Sequence, residues 1–322
     1  MVCVASPWGK VSERDRPIEK LMRDGSLSNW SGWNMNDPLY RRFAGRRLGI
    51  ATLHGKERVI GPALMGALPL TDFRAISDVD TDLFGTFSGE VQRIVDPLTA
   101  CLDKAKHGSD LSGMDLVIAS EGSFGPYPPA PFISCDEEIL VLYDARDGSV
   151  YSHRHVVLET VFGGELCGST ADVMVFAGRM KFPEHHLIVR AKEKWQRGDV
   201  LHKGIDDHEQ LRSLAEDLIA AHGSCWVETD MRAMGNPTRM RAIAQTADRF
   251  AAELAKTCPE CGACWFRITQ ALPGLPCEQC GWPTQSVRSY LRTCNDCGHE
   301  HAEPRPDGRT NEEPQHCGNC NP

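Results

Sequence analysis

Apolar residues along this 322-residue chain change period several times, and each change marks an element. Leu48-Gly49-Ile50-Ala51-Thr52-Leu53 is a mostly apolar run of strand length, which predicts a buried strand. His54-Gly55-Lys56-Glu57 follows as a tight loop. Val59, Ile60, Ala63, Leu64 and Leu68 then recur at helical spacing. Pro62 fits that helix only near its first turn, because a proline further in removes a ladder hydrogen bond. Asp96-Pro97 predicts a second helix with Asp as N-cap and Pro at the first position, its apolar face Leu98, Cys101, Leu102 and Ala105. Strands are expected at 115–119 and 138–143. Strand, helix, strand, helix, strand is the rhythm of an α/β fold, a mixed sheet with flanking helices.

The second half reads as three more strands, at 156–161, 173–177 and 187–190, extending the sheet in antiparallel fashion. Leu211, Leu214, Leu218 and Ile219 then form one helical stripe that Gly223 ends. A short strand covers 225–229. Asn236-Pro237 opens the next helix, with Met240, Ile243, Ala247, Phe250 and Leu254 inward. Residues 1–44 are polar with no sustained period and read as a mobile extension. The expected organisation is therefore the extension 1–44, an α/β domain at 45–205, a helical segment at 206–256 that completes it, and a tandem metal module at 257–322.

That last segment changes the chemistry. Nine of the chain's 14 cysteines fall in it. Eight form Cys-x-x-Cys pairs: Cys258/Cys261, Cys277/Cys280, Cys294/Cys297 and Cys317/Cys320. Such a turn aims two thiolates at one point, and two turns complete a tetrahedral zinc site. With 15 residues between the first two pairs and 19 between the last two, the spacing predicts two zinc ribbons. The first would use Cys258, Cys261, Cys277 and Cys280, and the second Cys294, Cys297, Cys317 and Cys320. Cys264 and His316 compete as ligands. An all-thiolate site has no open coordination position, so two structural Zn2+ ions are expected.

Charge limits the partners. The formal net charge is -9, and from Cys258 onward five Arg face eight Asp or Glu. Phosphate backbones need a basic face, so this balance argues against nucleic acid as a ligand of the tail. A protein partner docking on the ribbons fits it better. No apolar run is long enough to span a bilayer, and there is no apolar signal core at the start, so the expected location is cytoplasmic without a membrane partner.

Three loops carry candidate chemistry in the α/β half. The first, Thr52 to Lys56, joins a strand to a helix N-terminus, where backbone N–H groups and a lysine suit an anion. The second, Asp80 to Glu90, packs carboxylates and hydroxyls with two glycines. The third, Ser120 to Gly125, follows a strand's carboxyl end, where open α/β sheets place ligands. Carboxylates from two such loops can share a Mg2+ that also holds a phosphate. For Asp80 and Asp82 the turn-forming and capping role has slightly the better claim. Glu228, Asp230, Arg232 and Arg239 read either as a structural ion network or as part of the site. His185-His186 reads as an incidental pair.

These words together resemble a bacterial family defined as a domain of unknown function, over about Gly45 to Pro322. The shared segments are 54–57, 82–90, 119–126, 228–240 and the cysteine pairs. A more distant similarity is to the inosine-triphosphatase superfamily of noncanonical purine nucleotide pyrophosphatases. It rests on Ala51-Thr52-Leu53-His54-Gly55-Lys56, Thr86-Phe87-Ser88-Gly89-Glu90 and Ala119-Ser120-Glu121-Gly122. Ser152-His153-Arg154 echoes that superfamily's base-reading word, but falls earlier in the chain. The resemblance implies that Lys56 binds triphosphate and that Glu90 and Glu121 hold Mg2+.

The expectation is a metal-dependent hydrolase of a nucleoside triphosphate or similar phosphorylated small molecule. Lys56, Glu90, Glu121 and Asp82 are the catalytic candidates; His54, Gly55, Thr86, Ser120, Gly122 and Arg232 are the ligand-binding ones. The other reading is a noncatalytic zinc-ribbon adaptor for protein or nucleic acid.

Overall fold

The computed structural model describes residues 33–77, 95–196 and 198–322. Most of the N-terminal extension and the Asp80–Glu90 loop, with Asp82, Thr86 and Glu90, lie outside the described residues. The chain divides into two compact units. One comprises Arg46–Met65 and Asp72–Phe250; the other takes in the described part of Met1–Gly45, Gly66–Thr71 and Ala251–Pro322. A short helix, α1 (Pro38–Phe43), precedes the first strand, with Asp37 as its N-cap.

The larger unit is α/β. Its main sheet begins with β1 (Arg47–Ala51), helix α2 (Glu57–Ala67), β2 (Asp72–Ile76) and helix α3 (Pro97–Ser112). It continues with β3 (Leu116–Tyr127), β4 (Ala130–Asp144) and β5 (Ser149–Val157). The strand order is β2-β1-β3-β4-β5. β1 is parallel to β2 and β3, while β3–β4 and β4–β5 are antiparallel, so the sheet is mixed, as expected. Asp96 caps α3 as its sequence predicts, accepting from the Leu98 and Thr99 backbone N–H at 3.0 and 3.1 Å. Pro62 is the exception. It sits sixth in an eleven-residue helix rather than in the first turn, so α2 runs on with one ladder bond fewer.

Strand alternation gives this sheet two chemically different faces. One carries Val117, Ala119, Ile139 and Val141 and packs with Cys101 and Ala105 of α3. The other carries Ser120, Gly122, Glu138, His153 and His155, in register across β3, β4 and β5. A long helix, Pro237–Leu254, covers that face: Thr246 meets His155 at 3.3 Å and Phe250 stacks on His153.

The remaining strands form a second sheet instead of extending the first. In chain order these elements are β6 (Gly164–Cys167), α4 (Thr170–Arg179), β7 (Leu187–Arg190), β8 (Leu201–Ile205), α5 (His208–His222) and β9 (Cys225–Thr229). The helix Pro237–Leu254 is α6. The second sheet has the order β6-β9-β7-β8 and is antiparallel throughout. The strand expected at 173–177 is helical and lies inside α4. Val173, Phe176 and Ala177 are buried at positions i, i+3 and i+4, which is a helical stripe too short to be told from a strand by its apolarity. The strand expected at 156–161 lies earlier, as β5. α5 ends at Gly223, at φ 79°, as expected, and begins after Asp207, its N-cap.

The smaller unit is built around the antiparallel sheet β10 (Arg267–Pro273), β11 (Val287–Thr293) and β12 (Glu300–Pro304). Arg292 on the central strand is 2% exposed. Its guanidinium donates to Glu303 at 2.7 Å, Glu253 at 2.9 Å and the Phe266 carbonyl at 2.6 Å.

Candidate functional site

Four Cys-x-x-Cys turns lie around the small sheet, and the sheet decides how they pair. β10 pairs with β11 so that Arg267 faces Thr293. That brings the turn before β10 beside the turn after β11. The thiols accordingly gather as Cys258, Cys261, Cys294 and Cys297, and as Cys277, Cys280, Cys317 and Cys320. The consecutive pairing expected from spacing is therefore corrected: first joins third and second joins fourth. The eight ligands are those expected, and Cys264 and His316 belong to neither group.

The two groups fit zinc. A tetrahedron with Zn–S near 2.3 Å has S···S edges of about 3.8 Å. The contacts are Cys258–Cys297 3.7 Å, Cys261–Cys294 3.5 Å, Cys277–Cys320 3.9 Å and Cys280–Cys317 3.7 Å. Both sets are all-sulfur and closed, which is structural chemistry. Gly262, Gly281 and Gly298 follow the first three turns at φ 72–74°, a region open to glycine at little cost.

In the α/β unit the Thr52–Lys56 corner sits where β1 ends beside β3, since Ala51 pairs with Ala119. Gly55 turns the chain at φ 71°. Lys56 is 7% exposed, and its ammonium donates to Ser120 Oγ at 2.8 Å. That is the one side-chain hydrogen bond Lys56 makes among the described residues, although an ammonium has three donors. Burial pulls its pKa down to about 8, helped by the Arg239 charge and opposed by Glu138 and Glu121. His54 is held near 3, first by burial and then by Lys56, Arg239 and Arg232, so its imidazole is neutral at physiological pH.

Beyond Ser120, the same sheet face carries two acids that sequence reasoning did not single out, Asp136 and Glu138 of β4. Each is 1% exposed. They stand two residues apart on one strand, so both carboxyl groups project from the same face. Arg239 of α6 donates its Nε to Glu138 Oε1 at 2.7 Å and also bonds the Met231 carbonyl. Asn236 sets this arginine by accepting its backbone N–H at 3.0 Å, the capping role expected of it. Gly122 makes the approach feasible, because a Cβ there would lie 2.7 Å from Glu138 Oε1 and collide with the Arg239 guanidinium. Burial, then the Glu138 charge, raise the Asp136 pKa to about 8 against the pull of Arg239 and Lys56. Asp136 Oδ1 and Glu138 Oε2 are buried without a hydrogen-bond partner among the described residues.

Of the expected residues, the structure thus brings Lys56 to Ser120, with His54, Gly122 and Arg239 in the same polar cluster. Glu121 turns to the opposite face, where it pairs with Lys104 of α3, both side chains buried. That is the alternation of a strand acting on neighbouring residues. Arg232 clasps Asp230 through its Nε at 3.0 Å. Glu228 binds Arg190 at 2.7 Å and Trp226 Nε1 at 2.8 Å. His185, 2% exposed, meets Thr238 Oγ1 at 2.9 Å, whereas His186 is partly exposed near Asp206. His153 and Arg154 lie on β5, and Arg154 pairs with Glu137 at 2.9 Å.

Residues 104–322, about two thirds of the chain, match the family described as Domain of unknown function (DUF6671). The chain belongs to this family. In this DUF6671 protein the matched stretch runs from within α3 to the last residue, so it contains Asp136, Glu138, Arg239 and all eight zinc-type cysteines, while the Lys56 corner precedes it. No curated protein matches the chain. Among the described residues no helix is long and apolar enough to cross a membrane.

Proposed function

We propose that the α/β unit is a metal-dependent hydrolase of a phosphorylated small molecule, with a nucleoside triphosphate as the leading candidate, and that the two four-cysteine groups hold structural zinc. The observation that carries this reading is the buried Lys56 ammonium with a single side-chain hydrogen bond among the described residues. A desolvated cation that keeps donors in reserve suits an anionic oxygen. Its place at a strand-to-helix corner, at the carboxyl end of parallel β1, adds the α2 backbone N–H groups to the same task. In this reading Lys56 holds a phosphoryl oxygen and Arg239 fixes Glu138 beside it. Neutral His54 is available to orient attacking water through a hydrogen bond. A Mg2+ would supply the charge neutralisation that such transfers need.

The test is a panel of nucleoside triphosphates and simple phosphate esters with Mg2+ or Mn2+, run on wild type and on Lys56→Met. Release of phosphate or pyrophosphate that disappears in the variant supports the reading. Equal inertness of both proteins, with no ligand-induced thermal shift, refutes it.

A second reading, a noncatalytic adaptor docking protein through the cysteine module, draws on the exposed Trp282 next to Cys280-Gly281. Nucleic acid is disfavoured as a tail ligand, because Arg292, Arg305 and Arg309 are each bound to acids of the same module.

A further inference from the structure

We infer that the free oxygens of Asp136 and Glu138 form one half of a divalent-cation site whose other half is a phosphate held by Lys56. This rests on the phosphate reading of the Lys56 corner, and it moves the cation from Glu121 to β4.

Four observations carry it. Asp136 Oδ1 and Glu138 Oε2 are both buried, and neither has a hydrogen-bond partner among the described residues. A desolvated carboxyl oxygen with no partner is costly, and native proteins leave few of them without a ligand, water or ion. The two belong to residues i and i+2 of one strand, so their carboxyl groups project from the same face. The opposite requirement lies on the same face: Lys56 binds Ser120, two residues from the Gly122 that pairs with Glu138, and among the described residues makes no other side-chain hydrogen bond. One group wants a cation and the other an anion, and a metal–phosphate complex satisfies both. Finally, Glu121 is occupied, since Lys104 pairs with it on the far face.

The donor set also selects the cation class. Two carboxylates without a third protein ligand make a poor closed cage. Among the described residues the one kind of group offering three or more metal ligands together is the cysteine tetrad. Mg2+ and Mn2+ are commonly held by one or two carboxylates plus substrate phosphate and water. A thiolate-seeking metal such as zinc would go to the cysteines. Arg239 is a positioning residue here: it takes Glu138 Oε1 and so leaves Oε2 pointing elsewhere.

The experiment is Mn2+ titration of the zinc-loaded full chain, followed by electron paramagnetic resonance, with and without inorganic pyrophosphate. Wild type should bind one Mn2+, more tightly with pyrophosphate present. Asp136→Asn should weaken Mn2+ binding roughly ten-fold or more, a loss of about 1.4 kcal/mol. Glu138→Gln should do the same, and Asp136→Asn carries the test alone if loss of the Arg239 pair unfolds that variant. Glu121→Gln should leave Mn2+ affinity unchanged. Lys56→Met should keep the Mn2+ and lose the pyrophosphate effect. An unchanged affinity in Asp136→Asn, or no Mn2+ bound by wild type with pyrophosphate, overturns the inference. Mn2+ held by the pair in a protein that turns over no phosphate compound would instead sink the hydrolase reading and leave this site standing.

Discussion

Replacing Lys56 with methionine should make the protein more stable at neutral pH, and the structure sets the size of the effect. Lys56 is an ammonium almost wholly withdrawn from water, with a pKa near 8 instead of 10.5. That fall means the fold disfavours the charged form by about 3 kcal/mol relative to the neutral one. The figure already includes the attraction of Glu138 and Glu121, which pull the pKa the other way and lose. Methionine has nearly the same length and no charge to desolvate. Against the gain stands the hydrogen bond to Ser120 Oγ, worth about 1 kcal/mol. The net expectation at pH 7 is a stabilisation of about 2 kcal/mol, the signature of a charge kept for function at a cost in stability.

The pH dependence tests the cause. Between about pH 8 and 10.5 the unfolded chain holds the lysine proton and the folded chain does not, so wild-type stability gains from this group as pH rises. The gain is complete above the unfolded value, where the lysine is neutral in both states. The difference between the two proteins should therefore shrink through that window and reverse slightly near pH 11, leaving the Ser120 bond alone. Urea denaturation of both proteins at about pH 7 and pH 11 reads this directly. A variant that is less stable than wild type at pH 7, by the same margin at both pH values, would show that Lys56 is an ordinary structural cation.

Other outcomes follow from the same geometry. Cys258→Ser combined with Cys294→Ser should leave one zinc per chain by elemental analysis, because both residues belong to one group; with consecutive pairing the double variant would lose both ions. Gly122→Ala should destabilise by about 1–3 kcal/mol in chemical denaturation, since its Cβ intrudes on the Arg239–Glu138 pair. Arg239→Met leaves the Glu138 carboxylate buried without its cation and should cost about 3–5 kcal/mol. Adding Glu138→Gln to it should recover much of that loss, so the two changes should be far from additive in a double-mutant cycle.

Much of this architecture was legible in the chain. The α3 and α5 ends are local, set by the Asp96 side chain beside the backbone it binds and by Gly223 in a left-handed conformation, so both residues announced them. The eight thiols were legible for the same local reason. Their pairing was not, because it depends on which strand ends β10 and β11 bring together, and four equal turns allow three pairings. The expected strand starts at 138, which leaves Asp136 outside it and Glu138 at its first position. β4 begins at Ala130, and its period-2 pattern sets Asp136 and Glu138 in line with the buried Leu140 and Leu142. Two acids on the inward side of a core strand were the available signal. What holds them there, Arg239, is about 100 residues away in sequence, and no local pattern reports such a contact.

The most direct measurement is the anomalous scattering of Mn2+ in crystals of the full chain grown with Mn2+ and inorganic pyrophosphate. The account predicts a manganese peak on Asp136 and Glu138, away from the two four-cysteine groups, with a phosphate oxygen bridging from the metal to the Lys56 ammonium. Manganese at Glu121, or pyrophosphate bound nowhere near Lys56, would contradict it.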